Sequence, residues 1–191
     1  MKLDGVRTLA VLGDRDNGKT SLVFTLLKAY RGKREIVLYA YPDEVEDYRQ
    51  IHTLNELELL TDSIIYMDEL QQHIKFYQKR TSDEFLELLA VLAHNNNTLI
   101  FTTPMSQFIT KALDCFIDGF IYVRITDMAQ LKNASKAKRL LQDFSSKRIS
   151  KRTLRLVKGE YLQIIDGQER TNGVHKFKNP NMRKAWNIKT R

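Results

Sequence analysis

The chain has 191 residues, a formal net charge of +8 and a single cysteine, Cys115. That length suits one domain with a real core, and one cysteine excludes an internal disulfide, as expected in a reducing compartment. No apolar run approaches the roughly 18 residues a membrane span requires, and Asp4 and Arg7 interrupt the stretch where a signal peptide needs an apolar core; a cytoplasmic protein is expected.

The charge is unevenly spread. Residues 1–130 hold 14 Lys/Arg against 19 Asp/Glu, a net of −5, whereas residues 131–191 hold 17 against 4, a net of +13. An acidic body with a basic C-terminal third points to a polyanionic partner, with nucleic acid favoured over an acidic neighbouring subunit.

In chain order, Arg7 to Leu12 is a short, mostly apolar run that reads as a buried parallel strand. Gly13-Asp14-Arg15-Asp16-Asn17-Gly18-Lys19-Thr20 follows and fits the phosphate-cradling pattern G-x-x-x-x-G-K-[ST]. The chemistry needs these residue types. Gly13 and Gly18 allow backbone dihedrals that aim successive N–H groups at phosphate, and the helix starting there adds the positive end of its dipole. Asp14, Asp16, Asn17 and Ser21 complete the nucleotide-binding turn. Lys19 would reach the β- and γ-phosphates, and the Thr20 hydroxyl would sit on Mg²⁺. The helix from Ser21 to Tyr30 places Leu22, Val23, Leu26, Leu27 and Tyr30 on one stripe, with Gly32 as its stop.

Glu35 to Ala40 reads as a second buried strand ended by Pro42, and residues 43–52 as an acidic, polar loop. Thr53 and Glu56 have the spacing of a capping box opening a short helix to Leu60. Ser63 to Met67 is then an apolar strand ending in Asp68-Glu69, 48 residues beyond Thr20, which leaves room for one intervening strand. With a P-loop upstream this reads as a Walker B element: Asp68 holds Mg²⁺, through a water, and Glu69 orients the water that attacks the γ-phosphate.

Thr81 and Glu84 again have capping-box spacing, before a helix carrying Phe85, Leu86, Leu88, Leu89, Val91 and Leu92 and stopping near His94. Thr98 to Thr103 is another apolar strand ending in hydroxyls. Thr102, Thr103, Ser106 and Gln107 either sense the γ-phosphate or its water, since ligands sit beyond the C-terminal strand ends of such sheets, or only cap the next helix. Gly119 to Ile125 reads as a fifth strand, and Asp127 caps a polar helix to about Phe144. The stretch after it is basic, and its end pairs as a hairpin with Glu160–Ile165 across Lys158-Gly159. From Asp166 onward the chain reads as loosely structured.

The order of strand, P-loop, helix, strand, Asp-Glu-terminated strand, helix and polar-ended strand over residues 7–125 resembles the viral genome-packaging ATPases, which include the large terminases and the packaging proteins of the FtsK–HerA group. Arg15, at the third P-loop position, resembles the terminase arginine proposed to act on the γ-phosphate. The layout from Ile64 through Gln107 to Arg124 resembles FtsK–HerA and Zot-like proteins, although Gln107 follows Pro104 rather than ending the strand. The sequence has neither the membrane segment of Zot-like proteins nor room for a terminase nuclease domain.

The resemblance implies an α/β P-loop NTPase fold, with a mostly parallel sheet of about five strands sandwiched by helices and a basic C-terminal hairpin or tail. The division implied is an ATPase core over 1–145 and a basic extension over 146–191. It implies Mg²⁺-dependent ATP hydrolysis that drives double-stranded DNA into a capsid, with Lys19, Glu69 and Arg15 catalytic. It further implies a homo-oligomeric ring in which a neighbour supplies an arginine, Arg80 or Arg124, and contact with a capsid portal or vertex. Lys147, Arg148, Lys151, Arg152, Arg155 and Lys158 would face the DNA backbone. The alternative is a nucleotide-dependent switch or scaffold of a virus or mobile element; a phosphotransferase is a weaker third. No Asn-Lys-x-Asp for guanine and no Gly-x-Gly-x-x-Gly for a dinucleotide occur.

Overall fold

A computed structural model describes residues 3, 5–13, 17–75, 78–104, 109–123, 160–165, 168–174 and 188–189. Along them run β1 (Thr8–Leu12), α1 (Lys19–Lys28), β2 (Glu35–Tyr39), β3 (Glu44–Val45), β4 (Arg49–Ile51), α2 (Leu54–Glu58), β5 (Ser63–Met67), α3 (Leu70–His73), α4 (Lys79–His94), β6 (Thr98–Thr103), α5 (Lys111–Asp114), β7 (Gly119–Val123), β8 (Glu160–Ile165), β9 (Gln168–Val174) and β10 (Ile188–Lys189).

The main sheet has the order β4-β2-β5-β6-β1-β7-β8-β9. Its first six strands are parallel, and β8 and β9 add on antiparallel. This is an α/β P-loop NTPase fold, as the sequence predicts. Every residue of β1, β5, β6 and β7 is buried, which follows from their unbroken apolar runs: a parallel strand is covered on both faces. Alternate side chains feed two cores. One face packs Leu9, Val11, Ile64, Tyr66 and Ile100 against Leu22, Val23, Phe24, Leu26 and Leu27 of α1. The other packs Leu12, Ile65, Met67 and Phe101 against Leu57 of α2 and Phe85, Leu88, Leu89 and Leu92 of α4.

Helix ends follow local chemistry. Glu56 closes the expected box on α2, accepting from the backbone N of Thr53 at 3.1 Å and from its hydroxyl at 2.6 Å. Gly32, at φ +75°, takes the left-handed turn after α1.

Four expectations are corrected. The chain from Asp166 onward is not wholly loose: it contains β9 and β10, each held by backbone pairing to a neighbouring strand. Residues 43–52 are not wholly loop: they contain β3, which pairs with β10, and β4, which pairs with β2 as the sixth parallel strand. The opening of α4 lies at Lys79, so Thr81 and Glu84 sit inside its first turns; Gln78 is the cap residue, and its carbonyl accepts from Ser82 N at 3.1 Å. The hairpin partner of Glu160–Ile165 is β9, not the segment before Gly159, because β7 and β9 occupy both edges of β8. The expected helix from Asp127 lies outside the described residues.

At the far end from the site, Arg34 ties three segments together. Its guanidinium donates to the carbonyls of Asp62 (3.0 Å), Ser63 (2.9 Å) and Asn96 (2.6 Å) and to the Thr98 hydroxyl (2.9 Å). Truncating Arg34→Ala strands these acceptors at the starts of β5 and β6. It is expected to lower unfolding free energy in denaturant by about 2–4 kcal/mol without changing nucleotide affinity.

Candidate functional site

The strand order puts the informative loops side by side. β6 lies between β1 and β5, with Leu12 opposite Thr103 and Met67 opposite Phe101. The turn after β1, the carboxylates after β5 and the hydroxyls ending β6 therefore meet at one edge, beyond the C-terminal strand ends where such sheets place ligands. The sheet changes direction here: β1 is followed in sequence by β2, three places away across β6 and β5.

Gly18 caps α1 at φ 82°, ψ 25°, a left-handed conformation that a side chain would penalise by about 1–2 kcal/mol. The bend turns the chain so that Lys19 and Thr20 open the helix beneath it. Lys19 is 5% exposed; its ammonium donates to Gly13 O at 3.0 Å and lies 3.7 Å from Glu69 Oε1. Such a buried cation needs anionic company, and Glu69 provides part of it. Glu69 itself adopts φ 51°, ψ 58°, unusual for a residue with a side chain and of the sort that collects at functional sites. Its backbone N donates to Thr102 Oγ1 at 2.7 Å, which helps to hold that conformation. Gln71 donates its side-chain amide to Glu69 Oε2.

Asp68 is ringed by hydroxyls. Thr20 Oγ1 lies 3.2 and 3.3 Å from its two oxygens. Tyr66 OH donates to Oδ1 at 2.7 Å, and Thr102 Oγ1 donates to the same oxygen at 2.6 Å. His73 Nε2 donates to the Asp68 carbonyl at 3.0 Å, with its ring edge-on to Tyr39. Burial first, and the Asp68 charge second, push the Tyr66 phenol well above its ordinary value, so it remains a proton donor.

A carboxylate and a hydroxyl a few ångströms apart, flanked by a helix N-terminus, form a hard-oxygen set that fits Mg²⁺, which takes few protein ligands and keeps waters. Thr20 and Asp68 are the residues that would hold it.

Of the residues singled out in the sequence, Gly13, Lys19, Thr20, Asp68, Glu69 and Thr102 come together here. Asn17, Gly18 and Ser21 lie in the same turn and helix start. Thr103 is buried one residue beyond Thr102, on the opposite face of β6. Arg80 is on the surface in the first turn of α4, paired with Glu84 at 2.9 Å. Asp14, Arg15, Asp16, Ser106, Gln107, Arg124 and the basic residues Lys147, Arg148, Lys151, Arg152, Arg155 and Lys158 lie outside the described residues. Sequence reasoning missed Tyr66, Gln71 and His73. Tyr66 did carry a signal: it is the one polar-tipped side chain within β5 two residues before Asp68, hence on the same strand face.

No protein-family model and no curated protein matches the sequence. Solved structures do share its fold. The genome packaging NTPase B204 of Sulfolobus turreted icosahedral virus 2, in complex with ATP-γ-S, superposes with a TM-score of 0.64 at 17% identity, over 90% of this chain and 97% of that one. B204 of Sulfolobus turreted icosahedral virus, described as a DNA-packaging ATPase, gives 0.66 at 15% identity over 89% and 97%. The pCW3 conjugation coupling protein TcpA, a monomer form with ATPγS, gives 0.61 at 13% identity over 93% of this chain and 62% of that one. Among the described residues no helix is long and apolar enough to cross a membrane.

Proposed function

We propose that this chain, whose fold is that of P-loop ATPases which include viral genome-packaging enzymes, is a Mg²⁺-dependent ATPase that translocates double-stranded DNA, in viral genome packaging. The observation that carries the reading is the meeting of Lys19 with Glu69 and of Thr20 with Asp68 at one sheet edge. The genome- and DNA-packaging roles of the B204 proteins that share its fold support the choice of substrate.

In this account the triphosphate enters the turn after β1. Lys19 exchanges its contact with Glu69 for the β- and γ-phosphates, and Arg15 adds positive charge. Thr20 and Asp68 would hold Mg²⁺, which would offset the negative charge of the phosphates. Glu69, released from Lys19, aligns the attacking water. Copies assemble as a ring, in which Arg80 or Arg124 of a neighbour reaches the γ-phosphate, docked at a capsid portal or vertex in the host cytoplasm. Gln107 senses the phosphate, and Thr103, buried on the opposite face of β6 from Thr102, backs the strand end that carries the site. Residues 1–145 form the ATPase core. The extension 146–191 lends two strands to its sheet and carries the DNA-facing Lys147, Arg148, Lys151, Arg152, Arg155 and Lys158.

A second reading, a nucleotide-dependent switch or scaffold, draws on the engagement of Glu69 by both Lys19 and Gln71, which keeps it from a water until something displaces them.

ATP hydrolysis measured with and without duplex DNA across a salt series tests the motor. Duplex DNA of any sequence is expected to stimulate turnover. Six phosphate contacts imply that DNA affinity falls about 10³-fold between 50 and 200 mM salt. Robust turnover indifferent to DNA at every salt concentration overturns the translocase reading.

A further inference from the structure

We infer that Tyr66 is a positioning residue for the metal site: its phenol fixes Asp68 so that one carboxylate oxygen is engaged within the protein and the other is presented to the cation. The inference rests on the proposed Mg²⁺·nucleotide site and specifies how that site is built.

The geometry assigns the two oxygens different tasks. Oδ1 accepts from Tyr66 at 2.7 Å and from Thr102 at 2.6 Å, two short bonds for its two lone pairs, beside a longer contact with Thr20 at 3.2 Å. Among the described residues, Oδ2 has only the long, shared contact with Thr20, at 3.3 Å. The Thr20 hydroxyl is also the group a P-loop hands to Mg²⁺. With that hydroxyl given to Mg²⁺, Oδ2 would be the oxygen left to serve the cation. Turning the carboxylate out of this orientation would break two short bonds and strand a buried phenol.

The phenol is well placed to resist that rotation. Tyr66 has no exposed surface. Its ring is held edge-on by Phe24, with centroids 5.8 Å apart, and lies 6.1 Å from Tyr41. It shares a strand face with Asp68, two residues on, and its length spans that separation. Packing alone would be served by phenylalanine. The hydroxyl is accounted for by the carboxylate it touches.

The test is a Mg²⁺ titration of ADP and ATPγS binding by Tyr66→Phe and by the wild-type chain, with a parallel titration in EDTA. Outer partners of metal ligands typically affect metal affinity 10- to 100-fold. Since Asp68 acts through a water, the expected rise in Mg²⁺ half-saturation is about 10-fold, the low end of that range. Nucleotide affinity in EDTA should not change, and hydrolysis should recover at high Mg²⁺. Thr102→Val removes the other donor to Oδ1, together with the acceptor for Glu69 N, and is expected to move the Mg²⁺ titration in the same direction. It carries the test if Tyr66→Phe does not fold. The double variant should shift less than the product of the two, because both donors serve one oxygen. A lowered melting temperature with an unchanged Mg²⁺ half-saturation, in whichever of these variants folds, overturns the inference and leaves Tyr66 a core residue. Failure of the wild-type chain to bind nucleotide at all is a different result, and it removes the site reading itself.

Discussion

Lys19→Ala is expected to reduce kcat/KM for ATP by about 10²- to 10³-fold, the loss associated with removing a preorganised donor from a developing charge. The ammonium is buried, donates to Gly13 O and lies against Glu69, so its position is fixed before nucleotide arrives. No other described side chain is placed beneath the turn to replace it. Arginine should not rescue, because a planar fork does not occupy the volume of a compact ammonium in a site closed by backbone. The loss should appear in binding as well as turnover, since the contact is made in the ground state. Melting temperature should change little: the truncation also removes the desolvation cost of a buried ammonium, the Glu69 carboxylate left behind is 22% exposed and can be met by water, and both cores stay intact.

Glu69→Gln should separate binding from chemistry. The amide keeps the size of the carboxylate but cannot polarise a water, and turnover is expected to fall about 10²- to 10⁴-fold. ATP affinity should be retained or rise, because neutralising residue 69 frees Lys19 for the phosphates. The variant is then an ATP-trapped protein. Its DNA translocation stalls if the chain is a motor, whereas a switch or scaffold retains partner recruitment. Pre-steady-state hydrolysis alongside equilibrium binding distinguishes the two losses.

The frame was legible because each main strand is a five- or six-residue apolar run bounded by a breaker, and because Leu22, Val23, Leu26 and Leu27 fall at helical spacing. Other elements were decided by neighbours rather than by their own residues. In β4, only Ile51 of Arg49-Gln50-Ile51 is buried; its place comes from backbone pairing with β2, for which three residues carry no periodic signal. The partner of β8 is the polar stretch Gln168–Val174, which has no apolar alternation to declare it a strand. Its selection follows from an edge left open once β7 takes the other side. Thr81 and Glu84 had the spacing of a cap, yet Gln78 in an extended conformation starts the helix three residues earlier.

The same division runs through the site. Lys19, Thr20, Asp68 and Glu69 were readable because each belongs to a local pattern. The convergence of Tyr66 and Thr102 on one oxygen of Asp68 depends on β5 and β6 being neighbours with Met67 opposite Phe101. Residues 34 positions apart acquire that relation only through tertiary pairing. Gln71 was hidden for another reason: its contact with Glu69 depends on the left-handed turn that Glu69 makes, which nothing in the sequence Asp68-Glu69-Leu70 announces.

The most direct measurement is calorimetric titration of Mg²⁺·ATPγS into the wild-type chain, Lys19→Ala and Glu69→Gln. Saturable one-site binding by the wild-type chain and by Glu69→Gln, with affinity lower by about 10²-fold or more in Lys19→Ala, is the predicted result. Equal affinity in all three proteins, or no binding by any, contradicts a triphosphate held between the β1 turn and the Asp68-Glu69 pair.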